Sequence, residues 1–210
     1  MNEIMTLSLI IPVHNEIDQL DYTLKKLIKL KTKINQLEFV FIDDFSTDGT
    51  FKFLKKYSKN KKFIKLIRNK KKGLGSAIQE GIKKSKFDYV CIFMCDMSDD
   101  IKDVIKYYKL ISKQNIDAVL GSRFIYKSKV KNYPLIKLLI NRIANNLIKI
   151  IFLSKYNDFT NAFKIYDRKV LLKFLPIVSE SFNVFLELPL KIITRGYKYE
   201  IIPISWSGRM

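Results

Sequence analysis

Apolar and polar positions along this chain follow two rhythms in turn. Short apolar runs of strand length are "LSLIIP" (Leu7–Pro12), "LEFVFID" (Leu37–Asp43), "FIKLIR" (Phe63–Arg68), "DYVCIFM" (Asp88–Met94) and "DAVLG" (Asp117–Gly121). Between them lie stretches of helical period. The clearest is Asp18–Leu30, with Leu20, Leu24, Leu27 and Ile28 on one side. Further helices are predicted after "STDGT", from about Gly75 to Lys84, and over Asp100–Lys113. Strands alternating with helices imply right-handed crossovers and a largely parallel sheet. In such sheets ligands bind beyond the carboxyl ends of the strands. Three of these strands run into polar signatures, "HNE", "DDFSTDGT" and "CDMSDD". They are expected to converge on one crevice.

The pattern changes after about residue 122. "RFIYKSKVKNYP" (Arg123–Pro134) is a basic loop with no clear period. "PLIKLLINRIANNLIKIIFLSK" then interleaves Lys137, Asn141, Arg142, Asn145, Asn146 and Lys149 with aliphatic residues. It reads as an amphipathic helix or helix pair with a cationic face. Two placements suit it: a membrane interface, or packing on the domain with its polar side in water. The tail "YKYEIIPISWSGRM" reads as one or two closing strands.

Composition narrows the class. A hydrophobic fraction of 48% over 210 residues supports a folded core, most simply in one domain. No run reaches the length of a membrane span, and Leu7–Val13 is too short, and too interrupted by Pro12, for a secretory core. Cys91 and Cys95 share one apolar run and read as buried, reduced thiols of a cytoplasmic protein. His14 is the only histidine, which rules out a multi-histidine metal site. The net charge of +19 is spread along the whole chain. It fits either a compositional bias towards lysine or an anionic partner such as phosphate, a membrane surface or nucleic acid.

The chemistry is concentrated at the strand ends. Asp43 and Asp44 close one strand, where a carboxylate can accept hydrogen bonds from a nucleobase or ribose; Ser46 and Asp48 can cap the helix that follows. In "KKKGLGSAIQEG", Gly73 and Gly75 lack the spacing of a dinucleotide or P-loop fingerprint. The helix start beside Arg68 and Lys72 still offers donors to an anion, or is a plain tight turn. In "CDMSDD", Asp99 and Asp100 have an ordinary capping role available, whereas Asp96 has less of one. A carboxylate there suits Mg²⁺ or Mn²⁺ held together with substrate phosphates.

The segments "LSLIIPVHNE", "FVFIDDFSTDGT", "RNKKKGLGSAIQEGI", "CDMSDD", "AVLGSRF" and "DFTNAFKIYDRKVL" occur in that order over about residues 6 to 206. Together they resemble the large inverting glycosyltransferase family with the GT-A fold, and most closely its dolichyl-phosphate mannose synthase and polyprenyl-phosphate glycosyltransferase branch. The resemblance implies an α/β, Rossmann-like domain with a mostly parallel central sheet flanked by helices. Residues from about 6 to 122 would bind the nucleotide sugar, and those from about 123 to 210 would form the acceptor side. Pro12, His14 and Glu16 would contact the nucleotide, with Asp43 reading the base, Asp44 beside it, and Lys72 and Gly73 nearby. Asp96 would hold the divalent cation, assisted by Ser98 or Asp99. Met94 stands where these enzymes often have a first aspartate, and Ser98 where many have glutamine. Arg123 matches a phosphate-contacting arginine; Asp158, Lys164 and Glu187 fall on the acceptor-side motifs. The family's usual G-x-S-K continuation after Arg209 is absent, since the chain ends at Met210.

What the resemblance implies is transfer of a sugar from a nucleotide-diphosphate sugar to a polyprenyl phosphate on the cytoplasmic face of a membrane. A separate anchoring subunit is left open. An anionic phosphate acceptor needs no strong base; a hydroxyl acceptor would need one, and Asp158 is then the candidate. A nucleic-acid-binding module would account for the charge but not for strand-end carboxylates, which repel phosphate.

Overall fold

The computed structural model describes residues 6–34, 36–113 and 115–208. Arg209 and Met210, after which the family's continuation would fall, lie outside them. Among the described residues, four βα units and a fifth strand open the chain: β1 (Thr6–Val13), α1 (Ile17–Lys31), β2 (Gln36–Asp43), α2 (Thr50–Ser58), β3 (Ile64–Arg68), α3 (Leu74–Lys84), β4 (Tyr89–Ile92), α4 (Ile101–Ile111) and β5 (Ala118–Ser122). Then follow β6 (Lys129–Lys131), α5 (Leu135–Ile151), β7 (Lys164–Asp167), α6 (Arg168–Lys173), α7 (Val184–Thr194), β8 (Tyr199–Pro203) and β9 (Ser205–Ser207).

Seven strands form the main sheet in the order β3-β2-β1-β4-β7-β5-β8. All pairs are parallel except those of β7, which runs antiparallel between β4 and β5. Both faces of the sheet are buried, so its strands read as nearly continuous apolar runs. Leu7, Leu9, Ile11 and Val13 of β1 join one core with Leu20, Leu24 and Leu27 of α1 and Val104 and Tyr107 of α4. Ile10 points the other way, into a second core with Ile78 of α3, Leu171 of α6 and Leu188 of α7. Strands from both halves of the chain thus share one sheet.

Three features differ from the sequence reading. β7 has only four residues and follows a loop, so no alternation announced it. β4 stops at Ile92; Phe93 still donates its N–H to the Ile10 carbonyl (2.9 Å) before the chain leaves the sheet. The aperiodic basic loop contains β6, which pairs in parallel with β9 as a separate two-stranded sheet.

The largest departure is α5. A single helix forms, and part of its polar side, Asn141 and Asn145, faces inward, while Lys137, Arg142, Asn146 and Lys149 stay exposed. Asn145 is buried; its Nδ2 donates to the Asn141 carbonyl (2.8 Å) and to Thr160 Oγ1 (3.1 Å). Ile148 packs against the second core, but one aliphatic stripe faces out, with Ile136 76%, Ile140 61%, Leu147 55% and Ile150 67% exposed. This spacing is a helical stripe of apolar surface with nothing packed on it among the described residues. None of the described helices is long and apolar enough to cross a membrane.

Candidate active site

The order β2-β1-β4 decides the site. β1 lies between the strands that carry the two acidic signatures, and Val13 at its end pairs with Asp43. Two strand spacings, about 10 Å, separate β2 from β4. Asp43 and the Asp96 loop therefore flank the end of β1 on one carboxyl edge.

Asp43 is fully buried, and neither carboxylate oxygen accepts a hydrogen bond among the described residues. Among the described residues its ion-pair partner is Arg68, with Nε 4.0 Å from Oδ2, too long for a hydrogen bond. Buried carboxylates are ordinarily satisfied. This one is an acceptor without a donor.

The neighbouring polar groups are spent on architecture. Asp44 accepts the Gly73 N–H (3.0 and 3.1 Å to its two oxygens) and Asn69 Nδ2 (2.8 Å). Asp48 accepts the N–H groups of Ile17 (3.0 Å) and Thr50 (2.9 Å), joining the starts of α1 and α2. Ser46 Oγ accepts the Asn15 N–H, and Asn15 Oδ1 accepts that of Thr47. His14 is exposed, its Nδ1 2.6 Å from the Asp44 carbonyl oxygen, while Glu16 is half-buried with its N–H on Thr50 Oγ1. Pro12 is buried inside β1, so its side chain supports the crevice rather than lining it.

The glycine turn is not the open anion cradle that its sequence suggested. Gly73 N–H goes to Asp44, and Gly75 N–H goes to the Glu180 carbonyl (3.1 Å). Lys72 beside it is exposed.

On the β4 side, Asp96 accepts from the N–H (3.1 Å) and hydroxyl (3.0 Å) of Ser98. The turn passes through Met97 at φ 56, a left-handed conformation uncommon for a non-glycine residue. Strand β9 pins it. Ser207 N–H donates to the Ser98 carbonyl, Asp100 N–H to the Ser205 carbonyl, and Ser205 N–H to Asp103 Oδ2. Asp99 forms a bridge with Trp206 and is almost wholly buried, its Oδ1 unpartnered. Burial foremost, and then Asp96, push the Asp99 carboxyl up to about 8. Met94 packs against the second core, so no carboxylate replaces the absent aspartate there. Among the described residues no three His, Cys, Asp or Glu side chains gather to hold a metal. Asp96 fits the other mode, one carboxylate sharing an ion with substrate phosphates. A cavity of about 390 Å³ beside this loop is lined by Tyr22, Lys26, Ser98, Asp99, Lys129 and Trp206, among others.

The acceptor-side expectations need correction. Asp158 is fully buried and accepts Arg123 Nε (2.9 Å), Nη2 (2.6 Å) and N–H (2.8 Å). A carboxylate with both oxygens in a buried ion pair does not fit the role of general base. Arg123 lies about 5.3–5.6 Å from the ring centres of Phe124, Tyr133 and Trp206. Burial alone would lower its pKa; the Asp158 hydrogen bonds raise it instead. Lys164 is buried, its ammonium turned to the carbonyls of Phe159, Asn161 and Phe185, and burial lowers its pKa to about 7. It staples the segment carrying Asp158, its donors taken up by main-chain carbonyls. Glu187 accepts N–H groups of Val178 (3.1 Å) and Ser179 (2.7 Å) and the Lys191 ammonium (2.5 Å), far from a phosphate-binding role. Sequence reasoning gave no role to Asn69, inside "RNKKKGLGSAIQEGI", or to Asp103, and read Ser205 and Trp206 only as part of the closing strand "PISW".

The model of "Glycosyl transferase family 2" matches residues 8–175. A curated relative, the "Dolichol-phosphate mannosyltransferase" of Pyrococcus furiosus, is 32% identical over 141 residues, 67% of this chain and 39% of the relative. The chain thus spans well under half of that relative's length. Among solved structures, glucosyl-3-phosphoglycerate synthase from Mycobacterium tuberculosis in complex with Mn²⁺, uridine diphosphate and glucosyl-3-phosphoglycerate superposes with a TM-score of 0.71. That match is at 16% identity, over 98% of this chain and 73% of that one. A mannosyltransferase from Pyrobaculum calidifontis in complex with GDP-Man and Mn²⁺ gives 0.66 at 16% identity, over 96% of this chain and 56% of that one. At these identities the structural matches establish the GT-A fold.

Proposed function

This chain belongs to glycosyl transferase family 2, and on that premise we propose that it moves a sugar, with inversion, from a nucleotide-diphosphate sugar to a polyprenyl phosphate at a membrane surface. The observation that carries the donor half is the buried carboxylate of Asp43, which accepts no hydrogen bond among the described residues and lies across β1 from the Asp96 loop. An imide or amide N–H of a nucleobase is the donor such a group lacks. With the base at Asp43, the diphosphate reaches across the end of β1 towards Asp96.

Asp96, with Ser98 beside it, would hold Mg²⁺ or Mn²⁺ jointly with the diphosphate; structural neighbours are described with Mn²⁺ and nucleotides. Such a cation supplies Lewis-acid stabilisation of the departing diphosphate. The acceptor oxygen attacks the anomeric carbon, the bond to the diphosphate breaks, and the electron pair leaves with the nucleoside diphosphate. A phosphate oxygen is already anionic, so the engagement of Asp158 by Arg123 is no obstacle. Arg123, paired with Asp158 and set among Phe124, Tyr133 and Trp206, would hold the acceptor side rigid.

The lipid acceptor is supported by α5. Its outward stripe of Ile136, Ile140, Leu147 and Ile150 suits the acyl boundary of a bilayer. Lys127, Lys129 and Lys131 lead into it, and each basic residue near an anionic surface contributes roughly 1 kcal/mol. The Pyrococcus relative is named for a dolichol-phosphate acceptor.

The test is transfer of label from UDP-, GDP- and CDP-sugars, with Mn²⁺, to polyprenyl phosphate in vesicles. An acid-labile glycolipid is the expected product. Transfer only to soluble hydroxyl acceptors overturns the lipid-phosphate assignment, and no transfer from any donor overturns the whole reading.

A further inference from the structure

We propose that Glu187, which the sequence placed on the acceptor side, is a positioning residue for the donor nucleotide; this rests on the proposed function. The argument follows one chain of contacts across the molecule. Glu187 lies in the first turn of α7 and takes the N–H groups of Val178 and Ser179, with the Lys191 ammonium closing the third side. Burial works against the charged form, but these hydrogen bonds outweigh it and bring the carboxyl down to about 2. The segment after Val178 is therefore pinned by an ionised group that stays ionised.

That segment is the outer wall of the glycine turn. The Glu180 carbonyl accepts the Gly75 N–H, and Lys71 pairs with the Glu180 side chain. No gap separates the two. A Cβ on Gly75 would stand 1.7 Å from the Ser179 carbonyl oxygen, and one on Gly73, at φ 130, would stand 2.7 Å from that of Glu180. On its inner side the same turn gives the Gly73 N–H to Asp44, next to Asp43. Asn69 ties the turn again, donating to Asp44 and to the Gly73 carbonyl. Glu187 thus sets the place of residues 178–180, these set the glycine turn, and the turn sets Asp44 beside the carboxylate that would take the base. Every link is a hydrogen bond or a contact without slack, so displacement at one end is passed to the other.

The experiment compares wild type, Glu187→Gln and Gly75→Ala, which disturb the same wall from opposite sides. Nucleoside diphosphate binding is titrated with Mn²⁺ present, and steady-state constants are taken separately for donor and acceptor. For both variants the expected result is donor Kd and KM raised on the order of tenfold, with acceptor KM and kcat within about twofold. Circular dichroism and thermal melts confirm folding. If Glu187→Gln does not fold, Gly75→Ala decides alone. Unchanged donor binding in a folded variant overturns the proposal, as does an effect confined to acceptor KM, which would return Glu187 to the acceptor side. Wild type that binds no nucleoside diphosphate defeats the proposed function instead, so the two failures are distinguishable.

Discussion

Asp158 grips Arg123 through both carboxylate oxygens at 2.9 and 2.6 Å, and both side chains are buried. Breaking such a pair leaves an uncompensated charge in the interior, at a cost of about 3–5 kcal/mol. Asp158→Asn is expected to lower stability by that order in urea denaturation. The double replacement Arg123→Met with Asp158→Leu should be less destabilised than either single change. A folded Asp158→Asn with unaltered stability and lost turnover would restore the base role.

Asp43 predicts a trade between stability and binding. Asp43→Asn removes a buried charge that lacks a hydrogen-bonded partner. Thermal stability should be unchanged or raised by up to about 1 kcal/mol, while nucleotide affinity falls about tenfold or more. The two quantities are read by melting curves and by calorimetric titration. Loss of stability with retained binding would mean that Asp43 serves the fold.

Asp96→Ala should reduce turnover by about two orders of magnitude, the loss typical of a key electrostatic stabiliser. Wild-type turnover should vanish on chelation of divalent cations and return with Mn²⁺. Near-normal rates in the variant, measured by initial velocity, would remove the metal assignment.

Glu187 carries a pH signature. Its folded carboxyl is held at about 2, below the ordinary 4.5. Its contribution is therefore present above 4.5 and is lost as pH falls through about 2. Denaturation from pH 6 to about 3 should show wild-type stability declining more steeply than that of Glu187→Gln. Parallel curves would contradict the assigned ion pair.

The exposed stripe of α5 gives a separation of folding from attachment. Ile140→Gln with Leu147→Gln lies on surface that packs against nothing described, so stability should move by no more than about 0.5 kcal/mol per site. Co-sedimentation with anionic vesicles should drop sharply. A large stability loss would show that this stripe is covered within the folded protein.

The alternation of apolar runs and helical periods was enough to read the βα order from β1 to β5, because both faces of a parallel sheet demand continuous apolar strands. Asp43 and Asp96 could be singled out for the same reason: they stand where such runs stop, and the carboxyl edge is where ligands bind. Four residues of β7 carry too little pattern to announce an antiparallel strand between β4 and β5. The direction of α5 was likewise out of reach. Its period shows that two faces differ, but which one turns inward depended on Asn145 meeting Thr160, fifteen residues on. Asp158, Lys164 and Glu187 show the same limit: charge and position in a motif made them candidates. Only the folded chain placed Arg123, three main-chain carbonyls and two backbone N–H groups against them, since pairing between distant residues is a property of packing.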